Sequence, residues 1–355
     1  MSAPSGSDLG AVRGEDAFDV AAVDRWLREA APELDLEGLP DVQQFSKGAS
    51  NLTYLLRYPA HDLILRRPPA GAKIASAHDM GREYRVQQAL QPSFPSVPRM
   101  VGLCTDEAVI GGDFYVMHRV QGTILRSRIP DDLGLDAAQL RALCESFIDN
   151  LVTLHGIDTT QPEVAALGKG QGYVGRQVAG WSKRYRAAKT WNVPGFEPVM
   201  RWLDEHQPAD TDVCVIHNDY RLDNVVLAPD DPSRIVGVLD WEMATLGDPL
   251  MDLGGALAYW VEAGDGPAMK WLRRQPTDAP GMLTRDEVVA YYAQASGRSV
   301  ADWRFYEVFG LFRLAVIIQQ IYRRYHLGQT TNPAFKQYWL AVQYLHLRCR
   351  RVMRG

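Results

Sequence analysis

Apolar positions in AFDVAAVDRWLREA (17–30) recur at helical spacing, placing Val20, Val23, Trp26, Leu27 and Ala30 on one face. The period then shortens. VQQFS (42–46), LTYLLRY (52–58) and DLILRR (62–67) are short apolar runs joined by KGASN and PAH, and they predict an antiparallel meander. HDMGREYRVQQAL (78–90) returns to a helical pattern, with Met80, Tyr84, Val86 and Leu90 as its apolar contacts. RMVGLCT and FYVMHRV read as two further strands, and Gly122 and Pro130 mark a change of character after them. From about residue 136 helices dominate. AAQLRALCESFIDNLVTLHGI keeps Leu140, Leu143, Phe147, Leu151 and Leu154 in phase, and VVAYYAQAS, VFGLFRLAVIIQQIYRRYH and YWLAVQYLHLRCRRV follow the same rule. The exception is a set of three short strands, CVI (214–216), VVL (225–227) and IVGVLD (235–240).

The fold class expected is therefore α+β with two lobes. A disordered stretch (1–15) precedes a small antiparallel β-rich lobe with a leading helix (16–120). A larger, mainly helical lobe (121–355) holds an embedded β-hairpin. A length of 355 residues suits two such bodies better than one core.

Composition changes this picture mainly by exclusion. A net charge of −5 gives no support for general nucleic-acid binding. The longest apolar stretches, such as LAVII (314–318), are too short to span a bilayer, and MSAPSGSDLG carries no basic region followed by an apolar segment. Cys104, Cys144, Cys214 and Cys349 lie far apart, without metal-ligand spacing, and read as reduced thiols of a cytoplasmic protein.

The chemistry concentrates in VIHNDYRLDNVVL (215–227). His217, Asp219 and Asn224 follow the spacing H-x-D-x-x-x-x-N, and Asp240 ends the next apolar strand sixteen residues after Asn224. Phosphoryl transfer needs a carboxylate to orient a hydroxyl and take its proton, and an amide oxygen plus a second carboxylate to hold the metal. A polar hairpin with Asx turns would also fit this stretch alone. Upstream parts argue for chemistry. FSKGASNLTYLL sets Gly48, Ser50 and Asn51 between two strands, where amides and a hydroxyl can meet phosphates. Arg66 ends LILR where a nucleotide-binding lobe places a cation, and Glu83 lies on the following helix as its partner. A surface ion pair is the plainer reading of those two. The order of the parts (glycine loop, basic strand residue, helical glutamate, H-x-D-x-x-x-x-N, strand-end aspartate) is hard to obtain by accident.

With these residues in place, the chain resembles the aminoglycoside phosphotransferase-like branch of the protein-kinase-like fold, from about Val42 to beyond Asp252. HNDYRLDN resembles its catalytic loop and VLDWEMATLGDPLMDLG its metal-binding segment. The resemblance implies ATP and Mg2+ as cofactors, Asp219 as catalytic base with His217 and Arg221 beside it, and Asn224 and Asp240 as magnesium ligands. It implies Arg66 at the strand-three lysine position with Glu83 as partner, and YVMHRV (115–120) as the hinge, with Met117, His118 and Val120 facing the adenine. LRRPPAGAKIASAHDMGREYRV, VIGGDFYVMHRVQG and GYVGRQVAGWSKRY are similar to the kinase-like domain ahead of some acyl-CoA dehydrogenases.

Two departures shape the expected activity. Arg66 keeps the charge of the usual lysine but offers a planar fork. WEMATLGDP follows Asp240 where a peptide kinase has Phe-Gly and a long activation segment, which favours a small-molecule hydroxyl acceptor. Lys169 to Arg201 holds seven Lys/Arg against Glu197 alone, interleaved with Trp181, Tyr185 and Trp191. That charge disfavours a polycationic aminoglycoside and suits an anionic acceptor, a hydroxyacyl-CoA foremost; a solvated helix face fits it equally. An antibiotic or sugar kinase, and a non-catalytic nucleotide-binding module, remain the alternatives. His155 and His217 are expected to brace structure, and Asp248 and Asp252 to cap a helix and scaffold the loop. Arg313, Arg323 and Arg324 face either solvent or an anionic pocket.

Overall fold

The computed structural model describes residues 9–46, 51–69, 79–209 and 212–355. The chain divides into two compact units. One comprises Met1–Thr123, Val225–Asp231 and Ile235–Glu242, and the other comprises Ile124–Asn224, Pro232–Arg234 and Met243–Gly355.

The first unit is built on strands β1 (Leu9–Gly10), β2 (Asp41–Phe45), β3 (Leu52–Arg57), β4 (Asp62–Arg67), β5 (Met100–Cys104) and β6 (Phe114–His118), with helices α1 (Val20–Ala30), α2 (Met80–Leu90) and α3 (Glu107–Ile110). The sheet order is β1-β2-β3-β4-β6-β5, with every neighbouring pair antiparallel. Its strands read as nearly unbroken apolar runs because both faces are covered. Tyr54, Leu56, Leu63, Leu65, Phe114 and Val116 point to the face packed by Val23 and Leu27 of α1. Their alternates Leu55, Ile64, Tyr115 and Met117 form a second cluster with Met80 of α2. Full burial of a side chain such as Leu27 contributes about 1.5–3 kcal/mol. The period-2 rule also puts Arg66, two residues after Ile64, on the face that carries α2.

Residues 9–15, expected to be disordered, are ordered. Leu9 pairs with Phe45, the Arg13 amide donates to Gln44 Oε1 at 3.0 Å, and Arg13 Nε donates to Asp16 Oδ2 at 2.7 Å. Composition there resembles a tail, but partner groups on β2 satisfy the backbone. Gly48 and Ser50 lie outside the described residues; Asn51, at the start of β3, is buried.

In chain order the structure continues with α4 (Ala137–His155), α5 (Pro162–Ala165), α6 (Tyr173–Ala188), α7 (Glu197–Glu205) and β7 (Cys214–Ile216). Next come β8 (Val225–Leu227), β9 (Ile235–Val238), β10 (Thr245–Gly247), α8 (Pro249–Leu257), α9 (Pro267–Trp271), α10 (Arg285–Ser296), α11 (Trp303–His326) and α12 (Tyr338–Val352). The hairpin β8–β9 belongs to the first unit, not to the helical one. Thr123 and Leu227 exchange backbone hydrogen bonds of 3.0 and 2.8 Å, and the Val238 amide donates to Ser96 O at 2.7 Å. Gly122 (φ +151°) permits this approach, since a Cβ there would sit 2.0 Å from Leu227 O. β7 pairs with β10, a strand the apolar pattern does not announce.

Two helices of the second unit begin on capping boxes. Asp136 and Gln139 form a capping box for α4, and Thr284 and Glu287 form one for α10. α11 is long and apolar enough to cross a bilayer by composition, but 78% of that stretch is buried in the protein, which marks a core helix. It packs on α6, α8 and α12, and meets α8 where Gly310 faces the Gly254 carbonyl, too close for any Cβ. The four cysteines are free and buried.

Asp248 caps α8, its Oδ1 accepting the Met251 amide at 2.9 Å and its Oδ2 the Tyr306 hydroxyl at 3.2 Å. Burial nevertheless pushes its carboxyl up from 3.8 to about 6. The folded state thus holds this proton to higher pH than the unfolded chain, and stability falls as pH rises from about 4 to about 6. Asn caps as well as Asp without titrating. Asp248→Asn is expected to remove a pH-dependent loss on the order of 2–3 kcal/mol across that window, read as the difference between variant and wild-type urea unfolding curves. Parallel pH profiles for the two proteins would contradict the assignment.

Candidate active site

In the first unit β4 and α2 bring together the residues the sequence pairs. The Arg66 guanidinium donates to Glu83 Oε1, and its other terminal nitrogen lies 3.5 Å from Asp240 Oδ1. Only 12% of the Arg66 side chain and 1% of Glu83 remain exposed, so this is an interior pair and not the surface ion pair that was the plainer reading. Burial pulls the guanidinium down, but Glu83, then Tyr115, Asp240 and Glu242, outweigh it and hold Arg66 above its ordinary value. Tyr115 backs the pair, its hydroxyl accepting Gln87 Nε2 at 3.3 Å. Asp240 sits at φ +68°, a conformation costly for a residue with a Cβ and frequent at functional positions. Its carboxylate is 35% exposed, the most open of the three.

The segment expected as the hinge runs along the end of β6. Met117 pairs with Ile64, His118 with Leu63, and the Arg119 amide donates to Asp62 O at 3.0 Å. Burial, aided by Arg99 and His61, keeps the His118 imidazole below its usual value and therefore neutral near pH 7. Val120 packs against Gly237 of β9, where a Cβ would come within 2.7 Å of the valine.

The second unit carries the H-x-D-x-x-x-x-N loop after β7. Arg221 pairs with Asp219, its Nη2 donating to Oδ2 at 3.1 Å and its Nε lying 3.1 Å from Oδ1. Asn224 Nδ2 adds bonds to Asp219 Oδ2 (3.1 Å) and to its carbonyl (2.9 Å). The Nη2 bond and the close ion pair hold the carboxylate in place. Burial opposes the charge on Arg221, but Asp219 and Asp223 outweigh it and raise its pKa. Its guanidinium also lies 5.0 Å over the Tyr259 ring.

Beneath the loop is a buried scaffold. Asp252 Oδ2 and Oδ1 accept the backbone amides of His217 and Asn218, each at 2.7 Å, and Oδ2 lies 3.2 Å from His155 Nε2. Burial pushes Asp252 up, but the His155 bond and the His217 amide help to outweigh it and keep the carboxyl below its usual range. Burial likewise lowers His155. An ionised Asp252 only accepts, so neutral His155 donates from Nε2 and its Nδ1 accepts the Tyr292 hydroxyl at 2.8 Å. His217 is fully buried and braces the loop, its Nδ1 accepting the Asp219 amide at 3.2 Å.

Sequence reasoning missed Asn218. It adopts φ +66° and is held at every polar group. Tyr173 donates to its Oδ1 at 2.8 Å, its Nδ2 donates to Met243 O at 3.1 Å, and buried Arg313 donates to its carbonyl. An asparagine between His217 and Asp219 was the visible signal, since Asn tolerates the left-handed region best after glycine. Arg323 and Arg324 are exposed.

All seven Lys/Arg from Lys169 to Arg201 are exposed, and Arg186 pairs with Glu197 at 2.7 Å. That segment is the solvated face of α6 and its flanks. Trp191 is exposed and Trp181 is covered by Arg184 and Arg313.

Asn224 and Asp240 suit Mg2+ by donor chemistry. Each offers hard oxygens; Asn224 bonds Asp219 through Nδ2, so its Oδ1 is the atom with the chemistry to meet a cation. Among the described residues no three His, Cys, Asp or Glu side chains gather as a metal site.

Residues 41–309 match the family described as "Phosphotransferase enzyme family". Mouse acyl-CoA dehydrogenase family member 10 is 34% identical over 302 residues, covering 84% of this chain and 28% of that protein. Mouse acyl-CoA dehydrogenase family member 11 is 32% identical over 333 residues, 92% of this chain and 42% of that protein. The chain thus spans less than half the length of these relatives. A crystal structure assigned to the aminoglycoside phosphotransferases, from Ralstonia eutropha, superposes with a TM-score of 0.81 at 30% identity, covering 95% of this chain and 99% of that one.

Proposed function

From the premise that the chain belongs to the phosphotransferase enzyme family, we propose that it moves the γ-phosphoryl group of ATP to a hydroxyl of a small molecule, a hydroxyacyl-CoA-like anionic metabolite foremost. The observation that carries this reading is the Asp219 carboxylate, fixed by Arg221 and Asn224 on a loop held from below by Asp252.

Asp219 orients the acceptor hydroxyl and takes its proton as the hydroxyl oxygen bonds to the γ-phosphorus. The bond from that phosphorus to the β,γ-bridging oxygen breaks, and ADP leaves. Proton removal by Asp219 is a small part of the work in a loose transition state, in which positioning and electrostatics supply most of the catalysis. Arg66, oriented by Glu83, steadies the α- and β-phosphates, and the backbone near Met117 to Val120 receives the adenine. Asn224 and Asp240 would hold Mg2+, which supplies charge neutralisation at the phosphate oxygens. His217 acts through the loop and Arg221 through the carboxylate that it aligns.

The acceptor class is supported by the relatives, whose names join a matching segment to acyl-CoA dehydrogenases. The test is an acceptor screen with Mg-ATP: hydroxyacyl-CoAs differing in hydroxyl position, aminoglycosides, and no acceptor. Product is identified by mass spectrometry as the acceptor plus one phosphoryl group. Phosphorylated hydroxyacyl-CoA with matching ADP is expected. Phosphate on aminoglycosides alone would overturn the acceptor, and ATP binding without any product would leave a nucleotide-binding module.

A further inference from the structure

Beside the catalytic loop the second unit contains a cavity of about 300 Å³. Its lining starts at Arg221, the residue that grips Asp219, and at Tyr259, on which that guanidinium lies. Leu314, Ile317, Ile318 and Ile321 of α11 line it at i, i+3, i+4 and i+7, one continuous aliphatic stripe. Met269 and Leu272 are also in its walls. Elsewhere α11 spends its apolar residues on packing against other helices; here the stripe faces an opening. An aliphatic wall with a few placed polar groups is the make-up of a small-molecule site.

A second cavity, of about 400 Å³, shares Leu272, Arg274 and Tyr338 with the first. Its character differs. Trp271, 44% exposed, presents an indole, and exposed Arg274 and Lys336 bring two positive charges. Arg274 donates to the Tyr338 hydroxyl at 2.6 Å, which holds the guanidinium at the shared wall. Neither cavity is lined by any of the basic residues from Lys169 to Arg201.

We propose that the two cavities form one amphiphile-binding site, which takes the acceptor's apolar chain along the α11 stripe and its anionic, aromatic-bearing head at Trp271, Arg274 and Lys336. The inference rests on the phosphotransfer reading, because Asp219 beyond Arg221 fixes the end at which the hydroxyl lies. A polycationic acceptor is refused twice, by the aliphatic wall and by the cations at the far end. An acyl thioester of a nucleotide-bearing carrier has the required order: hydroxylated chain, linker, phosphates and base. The site residues Trp271, Arg274, Lys336, Ile317, Ile318 and Ile321 lie outside the segments that carry the nucleotide chemistry, so they set which acceptor is used.

The test compares wild type, Ile318→Trp and Lys336→Glu on two hydroxyacyl-CoAs, short and long in the chain, and on the same hydroxy acids without CoA. Ile318→Trp narrows the aliphatic cavity and is expected to raise KM for the long-chain thioester at least about tenfold, a loss of about 1.4 kcal/mol, with the short-chain KM little changed. Lys336→Glu is exposed and safe for folding. It is expected to raise KM for both thioesters and leave the CoA-free acids unaffected. ATP affinity, measured separately by calorimetry, is expected to be unchanged in both variants. If wild type phosphorylates the thioesters but both variants treat every acceptor as wild type does, the site is wrong and the reaction stands. If wild type binds ATP and phosphorylates no thioester, the acceptor reading fails first and this inference falls with it.

Discussion

Asp252→Ala is expected to lower stability by about 3–5 kcal/mol and to abolish most phosphoryl transfer in whatever protein remains folded. The side chain is fully enclosed and takes three donors at once: the amides of His217 and Asn218 and the Nε2 of His155. Alanine leaves all three buried without an acceptor, at about 1–3 kcal/mol each before relaxation. Against a total stability of about 5–15 kcal/mol this is a large fraction. The activity loss has a separate cause. Those amides hold the backbone immediately before Asp219, and Asn218 sits at φ +66°, a conformation that persists only while its surroundings impose it. Released, the loop relaxes and the Asp219 carboxylate leaves its position. Asp252→Asn keeps one carbonyl acceptor but turns an NH2 toward a donor, so it is expected to fall between. Urea unfolding monitored by tryptophan fluorescence, with turnover measured on the same samples, separates the two effects. A wild-type midpoint together with wild-type turnover for Asp252→Ala would contradict the scaffold.

Much of the first unit was legible because it obeys local rules. Strand alternation places Arg66 on the face that α2 covers, and a helical turn places Glu83 toward it, so their pairing follows from two periodicities. The spacing of His217, Asp219 and Asn224 was legible in the same way. Asp248 and Asp252 could be expected as cap and scaffold because they open an apolar helix next to the loop. Other features depend on contacts between distant residues that leave no periodic trace. β10 is only three residues long, and only its pairing with β7 reveals it. The β8–β9 hairpin was assigned to the helical lobe by its neighbours in sequence, whereas Thr123 and Ser96 bind it to the first unit. The proposed acceptor site shows the same limit most clearly. Lys169–Arg201 is a dense basic run, but a dense run on a helix is commonly its solvated face. The cations that border a cavity, Arg221, Arg274 and Lys336, come from three separate stretches, and no window of the sequence joins them.

Asp219→Asn tests the account at its centre. Asparagine keeps the shape of the side chain and one acceptor oxygen but cannot take a proton, and it gives up the charged half of the pair with Arg221. General-base positioning contributes about 10²–10⁴ in rate, so kcat for acceptor-dependent ADP formation is expected to fall by about that factor. The Arg66–Glu83 pair and the Met117–Val120 segment belong to the other unit, and asparagine keeps an oxygen that can accept the Asn224 Nδ2 bond, so Mg-ATP affinity is expected to stay within about twofold of wild type. The decisive measurement is therefore acceptor-dependent ADP release by wild type and Asp219→Asn under saturating Mg-ATP, with ATP affinity determined on both. Lost turnover with retained ATP binding is the predicted result; equal turnover by the two proteins would contradict the assignment of Asp219 as the base and, with it, the phosphotransfer mechanism set out above.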